Sequence, residues 1–129
     1  MMTNKELATR FVTDYLNTAD EEVFAKLVSP GYVDHDLPPG VTAQQSIGGF
    51  RAAFPNARFE VRDVIGEDDK VVVRYRVDGT HTGDFFGFAP TNRPIAIEGM
   101  SMYRIEAGRL AESWVHYDKA GIAQQIGMS

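Results

Sequence analysis

The sequence predicts an α+β fold in which three N-terminal helices close one side of a strongly curved antiparallel or mixed sheet around a single pocket. Two patterns predict it: apolar residues recur at helical spacing up to Phe54, and from Arg58 onward they alternate with a period of two. Helices followed by strands in this order place the helices together on one face of the sheet. With 129 residues and no repeat or long linker, residues 1–129 are expected to form one domain.

N-capping residues mark the starts of three helices. The predicted caps are Thr3, Asp20 and Thr42, and the first and third form capping boxes with Glu6 and Gln45. The three helices are expected to end near Asn17, at Pro30-Gly31 and at Pro55.

Alternation predicts the first two long strands. Odd-numbered apolar positions run from Phe59 to Ile65 and from Val71 to Val77. For these faces to coincide, the turn around Asp68 is expected to contain an odd number of residues. His81 continues the same parity and should therefore point inward.

The third strand is expected over 95–106, and a three-residue turn, 107–109, leads into the fourth. This turn places Arg104 opposite Glu112, an opposite-charge pair that favours the register by a few tenths of a kcal/mol. The same register pairs Met102 with Trp114 and Met100 with His116.

The fourth strand carries the candidate site. Trp114, His116 and Asp118 share one strand face, and the predicted register sets the two methionines on the wall next to Asp118. A carboxylate at this position is either the N-cap of a short helix over 119–126 or a general acid/base in an apolar cavity. The local sequence leaves both roles open.

Several segments carry a more specific pattern. They are YVDHD with His35; the region of His81, Gly83 and Phe85; Pro90-Thr91; and ESWVHYDKAGIAQQ with Glu112, Trp114, Asp118, Gly121 and Gln125. Together they resemble the SnoaL-like polyketide cyclases over most of the chain, from about Phe11 to Gly127. The resemblance implies the nuclear-transport-factor-two-like fold, in which a curved sheet forms a cone around helices.

The resemblance also implies an activity. It is an intramolecular aldol condensation that closes a ring of an aromatic polyketide without a metal or cofactor. Asp118 occupies the position of that family's catalytic acid/base. A histidine or tyrosine across the pocket would stabilise the developing oxyanion.

The remaining candidates surround the same pocket. His35 and His81 are catalytic candidates, although each has an alternative role as a buried core histidine. The substrate-binding candidates are Tyr15, Phe50, Met100, Met102, Trp114 and His116. Among these, Tyr15 could equally belong to the core, and His116 could lie below the cavity as an inert hydrogen-bonded group.

Other functions remain open at this point. The carboxylate could activate water or shuttle a proton in a hydrolase or isomerase, or the chain could bind a small hydrophobic ligand or act as a dimerising accessory subunit without catalysis. The three histidines with an aspartate would suffice for iron or zinc, but none has the spacing of a metal motif. We therefore predict no metal and no cofactor.

The composition restricts the kinds of partner that the chain can bind. A net charge of −5 with dispersed basic residues argues against nucleic acid, and no apolar run reaches the roughly 20 residues of a membrane span. The N-terminus lacks the apolar stretch of a secretory signal, which predicts a cytoplasmic location. We expect a small hydrophobic molecule as ligand and a homodimer. The rim of this dimer is expected to contain Arg58, Glu60, Arg62, Arg74 and Arg76. Alternatively, these charged residues form a face that is exposed to solvent.

Overall fold

The structure, a computed structural model, describes residues 2–128 and contains four helices and one five-stranded sheet within them. The helices are α1 (Asn4–Arg10, continued by a π-helical segment, Phe11–Leu16), α2 (Glu21–Leu27), α3 (Ala43–Ala53) and α4 (Lys119–Ile126). The strands are β1 (Val28–Asp34), β2 (Arg58–Glu67), β3 (Lys70–Thr80), β4 (Pro94–Glu106) and β5 (Arg109–Tyr117). The predicted α+β class is confirmed.

The sheet is mixed and open. Its strand order is β1-β5-β4-β3-β2, in which β1 runs parallel to β5 and the other pairs are antiparallel. Helix α1 and its π-helical continuation contact β2 and β3, whereas α2 contacts β1 and β5. The N-terminal helices therefore cover the inner face of the sheet. No helix within residues 2–128 is long and apolar enough to cross a membrane.

The predicted helix caps are confirmed. Thr3 and Thr42 each accept a hydrogen bond from the backbone N–H three residues on, at 3.1 Å, and both capping boxes are complete. Asp20 accepts from the N–H of Glu22 at 2.9 Å. The first helical region ends at Asn17, as predicted.

The predicted end of the second helix is wrong. Helix α2 ends at Leu27, and Pro30 and Gly31 lie inside β1. Proline is tolerated there because β1 is an edge strand, and its pairing with β5 is irregular between Val28 and Val33.

The predicted length of the first hairpin turn is also wrong. Glu67 pairs with Lys70, so the turn contains two residues. The register then shifts between Val61 and Asp63, and beyond this β-bulge Val61 faces Tyr75. Beyond the bulge, at Val61 and Phe59, the pairing is odd to odd as the alternation predicts. On the turn side of the bulge Ile65 instead faces Val72 and is 68% exposed, so its predicted inward position is wrong.

The second hairpin also combines a two-residue turn with a register shift. Its turn is the two-residue pair Ala107-Gly108, both with positive φ (51° and 74°), and not the predicted three residues. A register shift between Arg104 and Ile105 compensates. The predicted pairs are therefore confirmed: Arg104 with Glu112, Met102 with Trp114, and Met100 with His116.

The odd-numbered positions of β3 and β4 form the buried face of the sheet. Because the pairing joins odd to odd positions, Ser113, Val115 and Tyr117 of β5 also point inward. The hydrophobic core fills the space between this face and the helices, and all five tyrosines of the chain belong to it or pack against it. They are Tyr15, Tyr32, Tyr75, Tyr103 and Tyr117.

Candidate functional site

A cleft of about 620 Å³ lies between α2, β1 and the start of α3. Phe24, Tyr32 and Leu37 give it apolar walls, while Asp34 and Arg109 contribute charge. Asp34 is the only carboxylate among the lining residues that the structure describes. A concave, largely apolar cleft with few polar groups is the usual form of a small-molecule site.

Hydroxyl groups lie on the inner face of the sheet next to this cleft. Tyr32 Oη is 2.5 Å from Ser113 Oγ, and Tyr75 Oη is 2.9 Å from Ser101 Oγ. Tyr103 Oη is buried and has no hydrogen-bond partner within residues 2–128. We call these five residues, together with Tyr15, the tyrosine–serine cluster.

Small residues on β4 and β5 make room for this cluster. Ser113 lies directly opposite Tyr103 in the strand register. A Cβ at Gly99 would lie 2.8 Å from a ring carbon of Tyr75 and 3.0 Å from Tyr117 Cβ, so only glycine fits there without displacement. The sequence thus places glycine and serine where tyrosine rings cross the sheet.

Burial keeps the phenols of the cluster protonated. Desolvation raises the pKa of Tyr75 to about 12, although its hydrogen bond to Ser101 acts in the opposite direction. Desolvation likewise raises the pKa of Tyr32, Tyr103 and Tyr15. At neutral pH these side chains are therefore hydrogen-bond donors and not phenolates.

Asp34 joins the cleft to the cluster. It is the register partner of Ser113 across β1 and β5, and its Oδ1 accepts from the N–H of Asp36 at 3.0 Å. Desolvation raises the pKa of Asp34, and the hydrogen bond from Asp36 offsets part of this rise. A half-buried carboxylate of this kind is suited to acid/base chemistry.

Asp118 lies elsewhere. It is exposed and forms the N-cap of α4, where its Oδ1 accepts from the N–H of Gly121 at 2.8 Å. A Cβ at Gly121 would lie 2.2 Å from Asp118 Oδ2, so the glycine lets the carboxylate fold over the first turn of the helix. Asp118 does not line the cleft.

Trp114 and His35 lie on the outer face of the sheet. Their rings stack with centroids 4.8 Å apart and an interplanar angle of 15°. His35 Nε2 is 2.6 Å from Glu112 Oε2, and Glu112 also accepts from Arg104 Nε at 2.5 Å. These two hydrogen bonds lower the pKa of Glu112, that from His35 most. We call these four residues the outer network.

Met100, Met102 and His116 also lie on the outer face, so the expected wall beside Asp118 is not present in the cleft. Met100 is 50% exposed, and His116 is exposed as well. The reason is parity: the apolar residues of β4 occupy odd positions, and the register pairs even positions with even ones. Trp114 and its face must then point outward.

His81 is fully buried, which confirms that it points inward. It packs between Phe54 and Phe88, and its Nδ1 accepts from the N–H of Thr91 at 3.2 Å. Its Nε2 has no partner within residues 2–128. His81 therefore holds the 82–93 loop against the core and does not line the cleft.

Tyr15 and Phe50 belong to the aromatic core. Tyr15 packs on Phe24, a cleft residue, with ring centroids 4.9 Å apart, and its buried hydroxyl has no partner among the described residues. Phe50 packs on Phe54 and Tyr117. The three histidines do not come together, and residues 2–128 contain no group of three potential metal ligands.

Sequence reasoning did not select Asp34, Tyr32 or Ser113. The signal was present, because alternation in YVDHD places Tyr32 and Asp34 on one side of the strand and His35 on the other. Because the tyrosine ring has the larger apolar surface to bury, the side with Tyr32 and Asp34 was the candidate for the interior.

Comparisons with known proteins agree with this architecture. The family model described as SnoaL-like polyketide cyclase matches residues 6–126. Nogalonic acid methyl ester cyclase from Streptomyces nogalater is 26% identical over 123 residues, which span 94% of this chain and 92% of that protein.

Solved structures share the fold. Wild-type IdmH from Streptomyces antibioticus is 26% identical, with a TM-score of 0.82 and coverage of 98% of this chain and 99% of that one. TsrD from Streptomyces laurentii is 22% identical, with a TM-score of 0.84 and coverage of 95% and 93%. The cone-shaped fold that the resemblance implies is thereby confirmed.

Proposed function

The chain belongs to the SnoaL-like polyketide cyclase family, and on that premise we propose that it closes a ring in a hydrophobic carbonyl compound by cofactor-free acid/base catalysis. The reaction is an intramolecular aldol addition. The observation that carries the proposal is the apolar cleft that brings one half-buried carboxylate beside tyrosine and serine hydroxyls.

The chemistry needs two kinds of group. A base removes a proton next to one carbonyl, and a hydrogen-bond donor stabilises the enolate oxygen that forms. The nucleophilic carbon then bonds to a second carbonyl carbon, whose oxygen takes up a proton. The cleft contains a carboxylate for the first task and a phenol that remains protonated for the second.

Asp118 enters this proposal through its family position. One of its oxygens accepts from Gly121, whereas Oδ2 has no hydrogen-bond partner among the described residues. Asp118 is exposed, directly after Tyr117 at the end of β5. We therefore retain Asp118 as a candidate acid/base, whereas His35 and His81 have no part in the proposed reaction because neither lines the cleft.

The test uses nogalonic acid methyl ester, the compound in the name of the curated relative. We expect purified protein to convert it, without added cofactor, to a product of identical mass with one more ring, detected by liquid chromatography, mass spectrometry and NMR. A product that is lighter by one CH2 group, the acid formed when water replaces methanol at the ester, would identify a hydrolase instead. Absence of any conversion would reject the cyclase activity on this substrate.

A second candidate function is non-catalytic binding of a small hydrophobic ligand. The observation that favours it is the exposed position of Asp118 outside the cleft. Saturable binding of the same compound without any product would support this function. Turnover would exclude it.

We also propose that the chain forms a homodimer through the outer face of the sheet. Ile65 and Met100 expose 68% and 50% of their surface there, and the pairings of Ile65 with Val72 and of Val72 with Met102 make the exposed apolar residues contiguous. A contiguous exposed apolar patch marks an interaction surface. Light scattering coupled to size exclusion measures the mass directly. A Met100→Arg variant should dissociate the dimer, and a monomeric unmodified chain would contradict the proposal.

A further inference from the structure

Asp34 differs from the other carboxylates of the chain in its surroundings. It lines the cleft, is half-buried, and has no salt bridge within residues 2–128, whereas Glu112, Asp63 and Glu98 each lie within 4 Å of an arginine. A carboxylate that is removed from water without a cation costs stability. Active sites commonly contain such destabilising groups because their reactivity is needed there.

The neighbours of Asp34 are polar but do not neutralise it. On its own strand and the loop that follows, His35 points to the outer face and Asp36 donates a backbone N–H. From β5, Ser113 lies opposite Asp34 in the register. Arg109 is the cation that lines the same cleft.

The deeper neighbours are phenols. Tyr32 belongs to the same side of β1 as Asp34, and its Oη is 2.5 Å from Ser113 Oγ. Tyr75 and Tyr103, from β3 and β4, are buried on the same inner face of the sheet, and Tyr103 is the register partner of Ser113. Asp34 therefore lines the cleft on the side of β1 from which the Tyr32 hydroxyl reaches Ser113.

This further step rests on the proposed function. We infer that Asp34 is the catalytic base of the cleft, and that the Tyr32–Ser113 pair holds the oxygen of an enolisable carbonyl compound. Asp34 removes a proton from the carbon next to that carbonyl, and the electrons of the C–H bond form the enolate. After the carbon–carbon bond forms, Asp34 returns the proton to the new alkoxide, so no co-reactant is consumed.

The same assignment explains the difference between the two candidate carboxylates. Asp118 is exposed, caps α4 and does not line the cleft. Asp34 is already held by Asp36 next to the apolar surface of Phe24 and Leu37. Orientation against a bound substrate contributes to rate only where the substrate is enclosed.

The decisive experiment compares turnover of Asp34→Asn, Asp118→Asn and the unmodified chain on nogalonic acid methyl ester. Asparagine still accepts the Asp36 N–H, so the local fold is preserved. General acid/base catalysis contributes roughly a hundredfold or more, and Asp34→Asn should lose at least that factor in kcat. Asp69→Asn removes the same charge at the β2–β3 turn and serves as the control that keeps full activity.

Two further outcomes separate this inference from the proposed function. If the unmodified chain turns over and Asp34→Asn remains fully active while Asp118→Asn does not, the inference fails and the proposed function stands. A purely structural role of Asp34 would leave the pH profile of kcat unchanged in Asp34→Asn. If the kcat of Asp34→Asn no longer rises with pH on the acid side of the profile, proton removal by Asp34 is supported.

If the unmodified chain does not convert the substrate, the proposed function fails on this substrate. The inference is then tested by a binding measurement. The probe is 2-naphthol, a rigid aromatic enol whose hydroxyl can donate to ionised Asp34. Its affinity should rise with pH through the titration of Asp34 and fall roughly tenfold in Asp34→Asn, the effect of losing one charged hydrogen bond. Equal affinity and equal pH dependence in both proteins would overturn the inference.

Discussion

Each face of the sheet contains a carboxylate near aromatic side chains, but the two faces differ in whether these polar groups have partners. On the outer face, the outer network gives Glu112 two partners, His35 and Arg104, and stacks the imidazole on Trp114. On the inner face, within residues 2–128, Asp34 forms no salt bridge and two tyrosine hydroxyls of the tyrosine–serine cluster have no hydrogen-bond partner. Groups that the fold leaves unsatisfied are the ones free to bind a ligand.

The largest expected contrast between the faces is in core packing. Tyr103 and Met102 are adjacent, but Tyr103 is fully buried and Met102 points outward. Tyr103→Ala should lower the free energy of unfolding by about 3–5 kcal/mol, as large-to-small aromatic changes do in cores. Met102→Ala should cost less than about 1 kcal/mol, because surface substitutions have small effects. Chemical denaturation measures both, and equal losses would contradict the assignment of the faces.

A smaller contrast concerns two glycines. Gly99→Ala places a Cβ 2.8 Å from the ring of Tyr75 and should destabilise the protein by about 1–3 kcal/mol through overpacking. Gly48→Ala lies in an open part of α3, with nothing within 4 Å of the new Cβ, and should stabilise by about 1 kcal/mol. Thermal unfolding gives the two signs, and a stable Gly99→Ala protein would show that the tyrosine rings are not confined by β4.

Asp34 should affect stability in the direction opposite to an ion-paired carboxylate. Its pKa is raised by folding, so the native state binds more protons than the unfolded state between the unfolded and folded pKa values. The contribution of Asp34 to stability therefore falls as pH rises through this window. Asp34→Asn should leave stability at neutral pH unchanged or increased, and should flatten this part of the pH–stability curve. A clear loss of stability at neutral pH would indicate a structural carboxylate.

Glu112 should give the smallest effect and the reverse sign. Hydrogen bonds from His35 and Arg104 lower its pKa, so its contribution is present above the unfolded pKa and is lost as pH falls through the folded pKa. Glu112→Gln should slightly reduce stability at neutral pH, and added salt should diminish the difference because the pairs are partly exposed to solvent. Measuring the melting temperature at increasing salt concentrations tests this, and a salt-independent difference would contradict a solvent-accessible network.

The strand register was predictable, but the turns were not. A turn with one more residue and a two-residue turn followed by a β-bulge give the same pairing farther along the hairpin. Alternation and the Arg104–Glu112 pair therefore predict which residues face each other without determining where the extra residue lies. Both hairpins place it in a bulge.

The site was harder to predict because the local concentration of reactive residues lies at the end of β5 and not at the cleft. Trp114, His116 and Asp118 share a face, but a shared face does not reveal whether it points inward. The apolar odd positions of β4, together with the predicted even-to-even pairing, already directed Trp114 outward. The same alternation placed Asp34 with Tyr32, whose bulk favours the interior.

Loop contacts explain what remained beyond prediction. The parity of β3 shows that His81 points inward, but the partner of its imidazole is Thr91, at the far end of the 82–93 loop. Contacts made by a loop depend on its path and not on a periodic pattern.

Because of this contact, His81 can report the motion of the 82–93 loop. A backbone N–H can only donate, so the Thr91 contact makes Nδ1 the acceptor and leaves the ring hydrogen on Nε2, in a dry place between two phenylalanine rings. That hydrogen can exchange with solvent only when the loop lifts away. Its exchange rate and the nitrogen chemical shifts of this single imidazole would therefore time the opening of the loop by NMR, without a label elsewhere in the chain.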